Sequence, residues 1–261
     1  MTVVLVTGGA KRIGKAIAEQ CAAKGHNVAI HYNSSEAEAF ALADELSSLY
    51  PKQTIKTFHA DFKDVSTINK LMTEVINDFG YCDVLINSAS TFVYDTLSAA
   101  TPELWDFHGD INVKAPLFLA KAFVNSFKLS RSLNTGPLTG HIINIIDQRV
   151  WNFTPYFLTY SMSKASLWAM TQILALELAP FIRVNAIGPG PTLPSERQTQ
   201  EQFENSIEQI PLKIKTPLCD FGNTIDFLLN ASSITGQMIA LDGGQHMGWG
   251  FPNADAPRYV E

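Results

Sequence analysis

Short runs of consecutive apolar residues alternate along this chain with longer stretches in which apolar positions recur every three or four residues. Val3 to Val6 is apolar throughout and rich in β-branched residues, the pattern of a strand covered on both faces. Asn27 to Tyr32, Thr54 to Ala60, Asp83 to Ile86, His141 to Ile146, Arg183 to Ile187 and Gly236 to Asp242 read as further strands. Between them a helix begins near Gly14, Glu36 to Leu49 is helical up to Pro51, and Val65 to Phe79 is amphipathic and stopped by Gly80. Pro102 to Lys128 reads as one long helix or two broken ones, and Ser161 to Leu178 as a helix rich in Ala, Leu and Met. Strands alternating with helices predict an α/β fold over residues 1–261: a single-domain, doubly wound parallel sheet with helices on both faces. Its ligand crevice belongs at the C-terminal ends of the strands.

Three stretches carry weaker patterns. Arg131 to Gly140 is a Ser/Asn/Thr/Gly/Pro-rich surface loop. Residues 191–217 lack core signals from Leu193 onward and read either as a substrate lid or as an ordinary surface helix. Residues 245–261 form a C-terminal tail. The exposed face of Ser161 to Leu178 is apolar enough to suggest subunit packing.

Composition narrows the class. A chain of 261 residues, 46% hydrophobic and 17% charged, buries a large core in one domain. A formal charge of −6 argues against general affinity for nucleic acid or anionic membranes. The three cysteines, Cys21, Cys82 and Cys219, are odd in number, far apart and without metal-ligand spacing, which implies reduced thiols and no metal. No apolar run is long enough to span a bilayer, so a soluble cytoplasmic protein is expected.

The candidate chemistry lies in DQRVWNFTPYFLTYSMSK, from Asp147 to Lys164, where a strand ends on a carboxylate and the next helix carries Tyr160 and Lys164. Those two residues are four apart and share one helix face. A free phenol titrates at about 10, and an ammonium nearby draws that value towards neutrality. TGGAKRIG, Thr7 to Gly14, is a pyrophosphate cradle or a plain strand-to-helix turn. No acid follows the second strand to hold the hydroxyls of an NAD ribose. Tyr32, Asn33, Ser34 and Ser35, with Lys11 and Arg12, surround a 2′-phosphate of NADP or make a polar turn. Asp61, followed by Phe62, accepts from an adenine amino group or caps a helix. Asn87, Ser88, Ala89 and Ser90 are small enough for a ligand ring to approach backbone, and Phe92 beyond them is core or a stacking platform. Asn112 is a satisfied buried amide, or it holds a water chain leading to Lys164. Gly188 to Pro191 is a rigid turn that passes beside a ligand.

In this order TGGAKRIG, Asp61, NSAS, Asn112, YSMSK, RVNAIGPG and LDGG resemble the short-chain dehydrogenase/reductase superfamily over nearly the whole chain. The resemblance implies a Rossmann-type, NAD(P)-dependent oxidoreductase in which Tyr160 donates a proton, Lys164 binds the nicotinamide ribose and Asn112 supports the proton relay. It also implies cofactor contacts from Gly8, Ile13 and Gly188, and a homotetramer packed through the helices carrying Asn112 and Tyr160.

Three departures point to one branch. Most members have glycine where Arg12 stands, Asn-Ala-Gly where Ser88-Ala89-Ser90 stands, and serine where Asp147 stands. All three changes occur in the pteridine reductases, although those often have a basic residue where Ser34 stands. That likeness implies a pterin substrate between Phe92 and the nicotinamide, with Arg12, Ser90, Leu193, Asp147 and Tyr160 as further contacts. A carboxylate accepts hydrogen bonds and cannot donate them, so Asp147 suits a substrate bearing N–H groups better than a ketone. It also opposes Lys164 by raising the phenol pKa. The expected reaction is hydride transfer from NADPH to the pyrazine ring of a dihydrobiopterin, dihydromonapterin or dihydrofolate type of pterin. The rivals are a general carbonyl reductase, for example of 3-oxoacyl thioesters, and a non-catalytic NADP-binding sensor.

Overall fold

A computed structural model describes residues 2–132, 139–195 and 197–248. Seven parallel strands form one sheet in the order β3-β2-β1-β4-β5-β6-β7. They are β1 (Val3–Val6), β2 (Asn27–Tyr32), β3 (Ile55–His59), β4 (Val84–Asn87), β5 (Gly140–Ile145), β6 (Ile182–Pro189) and β7 (Met238–Leu241). The central strands β1, β4 and β5 are buried along their whole length, which is why their sequences are continuous apolar runs rather than alternating ones.

Helices cover both faces. On one, α1 (Arg12–Ala23), α2 (Glu36–Leu49) and α8 (Leu218–Asn230) pack Ile17, Leu42, Leu46, Phe221 and Ile225 against Val4, Val6, Ile86 and Ile143. On the other, α3 (Val65–Phe79), α5 (Ala115–Ser132) and α6 (Leu158–Leu178) pack Ile68, Leu71, Leu119, Phe123 and Ala175 against Leu5, Leu85 and Val184. Each fully buried aliphatic side chain contributes about 1.5–3 kcal/mol, more than the ~1 kcal/mol of a cap. Burial therefore selects the elements and caps set their ends. Asp64 caps α3 by accepting from Ser66 N at 2.9 Å, and Gly80, at φ 82°, ends it.

The segment read as one long helix or two is α4 (Pro102–Gly109), a π-helical turn (Asp110–Lys114) and then α5, without a break. The wide turn carries Asn112, and such turns favour functional sites. The stretch from Leu193 to Pro217 holds a short helix, α7 (Gln200–Glu208), capped by Thr199 and Gln202 and anchored by buried Phe203, with buried Ile210 just beyond its end.

Two sequence expectations need correction. Helix α6 begins at Leu158 rather than Ser161, which puts Tyr160 in its first turn. Helix α8 fills residues 218–230, where no element was expected; its Gly222 lies against α1, where an added Cβ would stand 2.4 Å from Gln20 Cβ. Of the expected loop at 131–140, residues 131 and 132 belong to α5 and 133–138 lie outside the described residues, as do Glu196 of the expected lid and 249–261 of the tail.

Candidate active site

The chain leaves β1 towards β2 on one side and reaches β4 on the other, so the sheet has its topological switch between β1 and β4. A cavity of about 710 Å³ opens there, at the C-terminal ends of the strands. It extends from Asn33, Ser34 and Ser35 at one end to Phe92, Asp147, Arg149 and Tyr160 at the other.

At the first end, backbone is held close and flat. Thr7 Oγ1 accepts from Ser88 N at 2.9 Å and from Ala89 N at 3.0 Å, locking the loop after β4 onto the loop after β1. Gly8, at φ 61°, sits so near this loop that an added Cβ would lie 2.9 Å from Ala89 Cα. Gly8→Ala is expected to cost about 1–3 kcal/mol through its left-handed backbone; thermal unfolding measures it, and an unchanged midpoint would show that the loop simply yields. Gly8 N donates to His31 Nδ1 at 3.0 Å, and His31 Nε2 faces Ala60 O at 3.1 Å. These partners require the neutral ring protonated on Nε2. Burial agrees, lowering the His31 pKa to about 4, and the ring stacks on Phe62 at 4.1 Å. The Gly8 N–H is thus already used, and the donors left for an anion are those at the N-terminus of α1, whose first turn has no acidic residue.

The polar rim holds Lys11, Arg12 and Lys63 beside Asn33, Ser34 and Ser35. Lys11 pairs with Glu38 at 2.7 Å, with both side chains about half exposed, so the pair adds little stability. Arg12, at φ 53°, donates to the carbonyls of Leu193 at 3.4 Å and Pro194 at 3.1 Å, bridging the cleft to the segment that begins at 191. A narrow floor that a Cβ would fill, a helix N-terminus and a basic rim fit a dinucleotide with an extra phosphate.

At the second end, Tyr160 OH donates to Asp147 Oδ2 at 2.9 Å. The other carboxylate oxygen, Oδ1, accepts from Arg149 N at 2.9 Å and caps a short turn, Gln148–Val150. Lys164, buried, donates from Nζ to Ile145 O at 2.9 Å and lies 5.8 Å from the Tyr160 ring centre. Burial, then the Asp147 charge and hydrogen bond, push the Tyr160 pKa well above 10, against a smaller opposing pull from Arg149. Burial, partly offset by the Asp147 charge, leaves the Lys164 pKa lowered to about 8. The expected downward tuning of Tyr160 by Lys164 is therefore reversed: desolvation and Asp147 together keep the phenol protonated.

Tyr160 is positioned from outside its helix. Asp95, fully buried after β4, accepts from Thr159 N at 3.1 Å and Thr159 Oγ1 at 2.7 Å, supplying the cap that the first turn of α6 lacks. Its carbonyl accepts from Phe157 N at 2.8 Å and so holds Phe157 at φ 58°, a conformation that costs about 1–2 kcal/mol. The Phe157 ring consequently stacks on Phe92 at 4.4 Å, and Phe92 meets Tyr160 edge-on at 4.7 Å. One face of Phe92 is thus backed by Phe157.

Most of the expected site residues converge. Gly8, Lys11, Arg12, Ile13, Tyr32, Asn33, Ser34, Ser35, Phe62, Ser88 and Ala89 line the cavity at one end, and Ser90, Phe92, Asp147, Tyr160, Lys164 and Leu193 line it at the other. Four do not line it. Gly188 faces Met238, and Pro189, Gly190 and Pro191 take its place. Asn87 donates from Nδ2 to Asn144 Oδ1, its register partner on β5, at 2.8 Å. Asp61 accepts from Lys63 N at 3.1 Å and Asn33 Nδ2 at 3.4 Å. Asn112 accepts from Thr91 N at 2.9 Å and Ser90 Oγ at 3.1 Å, and donates to Thr91 O at 3.1 Å and Ser163 Oγ at 2.9 Å. Its four hydrogen-bonding positions are taken, which leaves none for the expected water chain; the amide ties the Ser90 loop to α6 instead. Sequence reasoning missed His31, Asp95 and Arg149. Only Arg149 left a trace, as a cation two residues beyond the carboxylate that ends a strand.

Fold and site together define an oxidoreductase that uses a dinucleotide. The profile of a family described as enoyl-(acyl carrier protein) reductase matches residues 8–246. The chain is also 31% identical to pteridine reductase 1 of Leishmania tarentolae, over 93% of this chain and 95% of that one. It is equally 31% identical to the 3-oxoacyl-[acyl-carrier-protein] reductase FabG of Staphylococcus epidermidis, over 93% of this chain and 98% of that one. The crystal structure of FolM alternative dihydrofolate reductase 1 from Brucella suis in complex with NADP superposes with a TM-score of 0.88 at 43% identity, covering 96% of this chain and 97% of that one. The protein belongs to the short-chain dehydrogenase/reductase family. Among the described residues no helix is long and apolar enough to cross a membrane.

Proposed function

We propose that this protein reduces a dihydropterin with NADPH. The observation that carries the reading is the 2.9 Å hydrogen bond from the Tyr160 hydroxyl to Asp147. Reduction of a ketone calls for donors around the developing oxyanion, and a carboxylate there can only accept. A pterin ring offers N–H groups to such an acceptor. Support for NADP comes from the Lys11, Arg12 and Lys63 rim, from Ser34 and Ser35, and from the NADP named with the Brucella suis protein.

In this reading NADPH supplies a hydride to C6 of the pterin C6=N5 bond. Tyr160 releases its proton to N5, so that one hydride and one proton account for the tetrahydropterin and NADP+. Asp147 orients the hydroxyl and takes a substrate N–H. Lys164, held by Ile145 O, presents its ammonium to the nicotinamide ribose. Phe92, backed by Phe157, stacks one face of the pterin. Asn112 and Asp95 position the two loops that bear these groups. We assign residues 191–217 the role of substrate cover, tied across the cleft by Arg12.

The test is NADPH oxidation by the purified protein with dihydrobiopterin, dihydrofolate and a 3-oxoacyl thioester side by side. Turnover of pterins alone is expected. Thioester turnover alone would replace this reading by the second one, carbonyl reduction, which the FabG relative at equal identity favours. Cofactor binding with no turnover of any of the three would leave only a sensor.

A homotetramer packed through α5 and α6 is part of the same proposal. Leu129 on α5 and Ile173 and Leu176 on α6 are exposed, Leu176 to 84%, and together leave an apolar face for a second copy to cover. Small-angle scattering is expected to give four times the chain mass, and a monomeric mass would refute this assembly.

A further inference from the structure

Arg149 has no assigned role in the chemistry above, yet it is built into the cavity wall. Its backbone N–H is fixed by Asp147 Oδ1 at 2.9 Å, so the carboxylate and the guanidinium belong to one rigid turn. The side chain runs back over the aromatic pair, with Cζ 4.7 Å from the Phe157 ring centre and 5.4 Å from that of Phe92. Stacking of this kind leaves the in-plane N–H groups free to point outward. Nη1 is buried and has no hydrogen-bond partner, and among the described residues no carboxylate pairs with this guanidinium. A buried donor on a cation is costly to leave unmatched. Phe157 is meanwhile held in a left-handed backbone conformation that places its ring beneath the guanidinium. These features describe a preorganised donor awaiting an acceptor beside Tyr160.

We propose that Arg149 is a substrate-binding residue that takes the 4-oxo oxygen of the pterin ring. The inference rests on the pterin reading and extends it to the orientation of the ring. In a pterin the 4-oxo oxygen and N5 lie side by side on one edge, across the ring junction. Tyr160 delivering a proton to N5 therefore brings that oxygen to the neighbouring donor, and the neighbouring donor is Arg149. With the ring turned over, N8 would take the place of N5 and ring atom N1 that of C4, so the guanidinium would meet a recessed nitrogen lone pair beside N8 instead of a projecting oxygen. Arg149 thus selects the pose in which C6=N5, rather than the opposite edge of the pyrazine, is presented for reduction. A cation here also eases release of the Tyr160 proton to N5, since its charge draws the phenol pKa down against Asp147.

The test compares two probes, pterin and 2-aminopteridine, which lacks the 4-oxo oxygen and with it the N3–H, by calorimetry in the presence of NADP+ so that no turnover occurs; the change in their ratio between wild type and variant isolates the part due to Arg149. Wild-type protein is expected to bind pterin about 10- to 100-fold more tightly, the range of a hydrogen bond to a charged group. Arg149→Met keeps an apolar stem over Phe157 and is expected to remove most of that ratio while leaving the Kd for NADP+ unchanged. A ratio unchanged in Arg149→Met, or equal loss for both probes, overturns the assignment and leaves the pterin reading intact. Should the variant not fold, wild-type protein alone decides, because equal binding of the two probes overturns it as well. Failure of wild-type protein to bind either probe removes the pterin reading and the assignment with it.

Discussion

Replacing Tyr160 with phenylalanine is expected to lower kcat for dihydropterin reduction by about one hundred- to ten thousandfold, the usual range for loss of a general acid. The substitution removes one oxygen and little else. The ring keeps its edge contacts with Phe92 at 4.7 Å and His108 at 5.9 Å, and α6 keeps the cap from Asp95. The fold and the NADPH end of the cavity are therefore expected to persist, and KM for NADPH to change by less than about threefold, because no new binding surface is lost. Steady-state kinetics with circular dichroism of the variant separates these effects. A kcat reduced less than about tenfold would mean that N5 takes its proton from Asp147 or from water.

The second large effect is at Asp147. Asp147→Ser restores the hydroxyl donor common in the family and removes the acceptor for substrate N–H groups. Pterin kcat/KM is expected to fall about 10- to 100-fold, since the lost bond is one to a charged group, while turnover of a simple ketone or 3-oxoacyl thioester rises. Unchanged pterin turnover would show that the carboxylate has no part in the reaction.

Asp147→Asn adds a pH signature. Asp147 raises the pKa of Tyr160 and also that of Lys164, which burial on balance leaves lowered to about 8. Activity that needs both groups protonated falls as pH rises through the lower of the two, that of Lys164. Without the carboxylate both values drop, so the alkaline limb of kcat/KM must move to lower pH. A limb that stays in place or moves up would show that neither group governs it.

Much of this site was legible because its spacing is local. Tyr160 and Lys164 share a helix face by virtue of being four residues apart, and that holds wherever the helix is placed. Asp147 follows a run of buried residues, so its position at a strand end could be read before any fold was known. Tyr160 was nonetheless given the wrong electrostatic balance. Its neighbour along the helix was visible, whereas the degree of burial that raises its pKa depends on every element packed around it.

The amino-acid sequence by itself determined the alternation of strands and helices, the glycine-bearing turn after β1, and the residue types that meet at the cavity, because periodicity, backbone freedom and side-chain chemistry are properties of short segments. Only the tertiary structure decided how those groups are used. His31 takes the Gly8 N–H from 23 residues away, Ser163 takes one Asn112 N–H from 51 away, and Arg12 reaches the carbonyl of Leu193 across 181. Gly222 of α8 is used in the same way, since the approach of α1 leaves no room there for a Cβ beside Gln20. Each of these outcomes depends on which distant atom arrives at hydrogen-bonding or van der Waals distance, and that is set by closing the sheet and packing its two helical layers, not by any local preference of the chain.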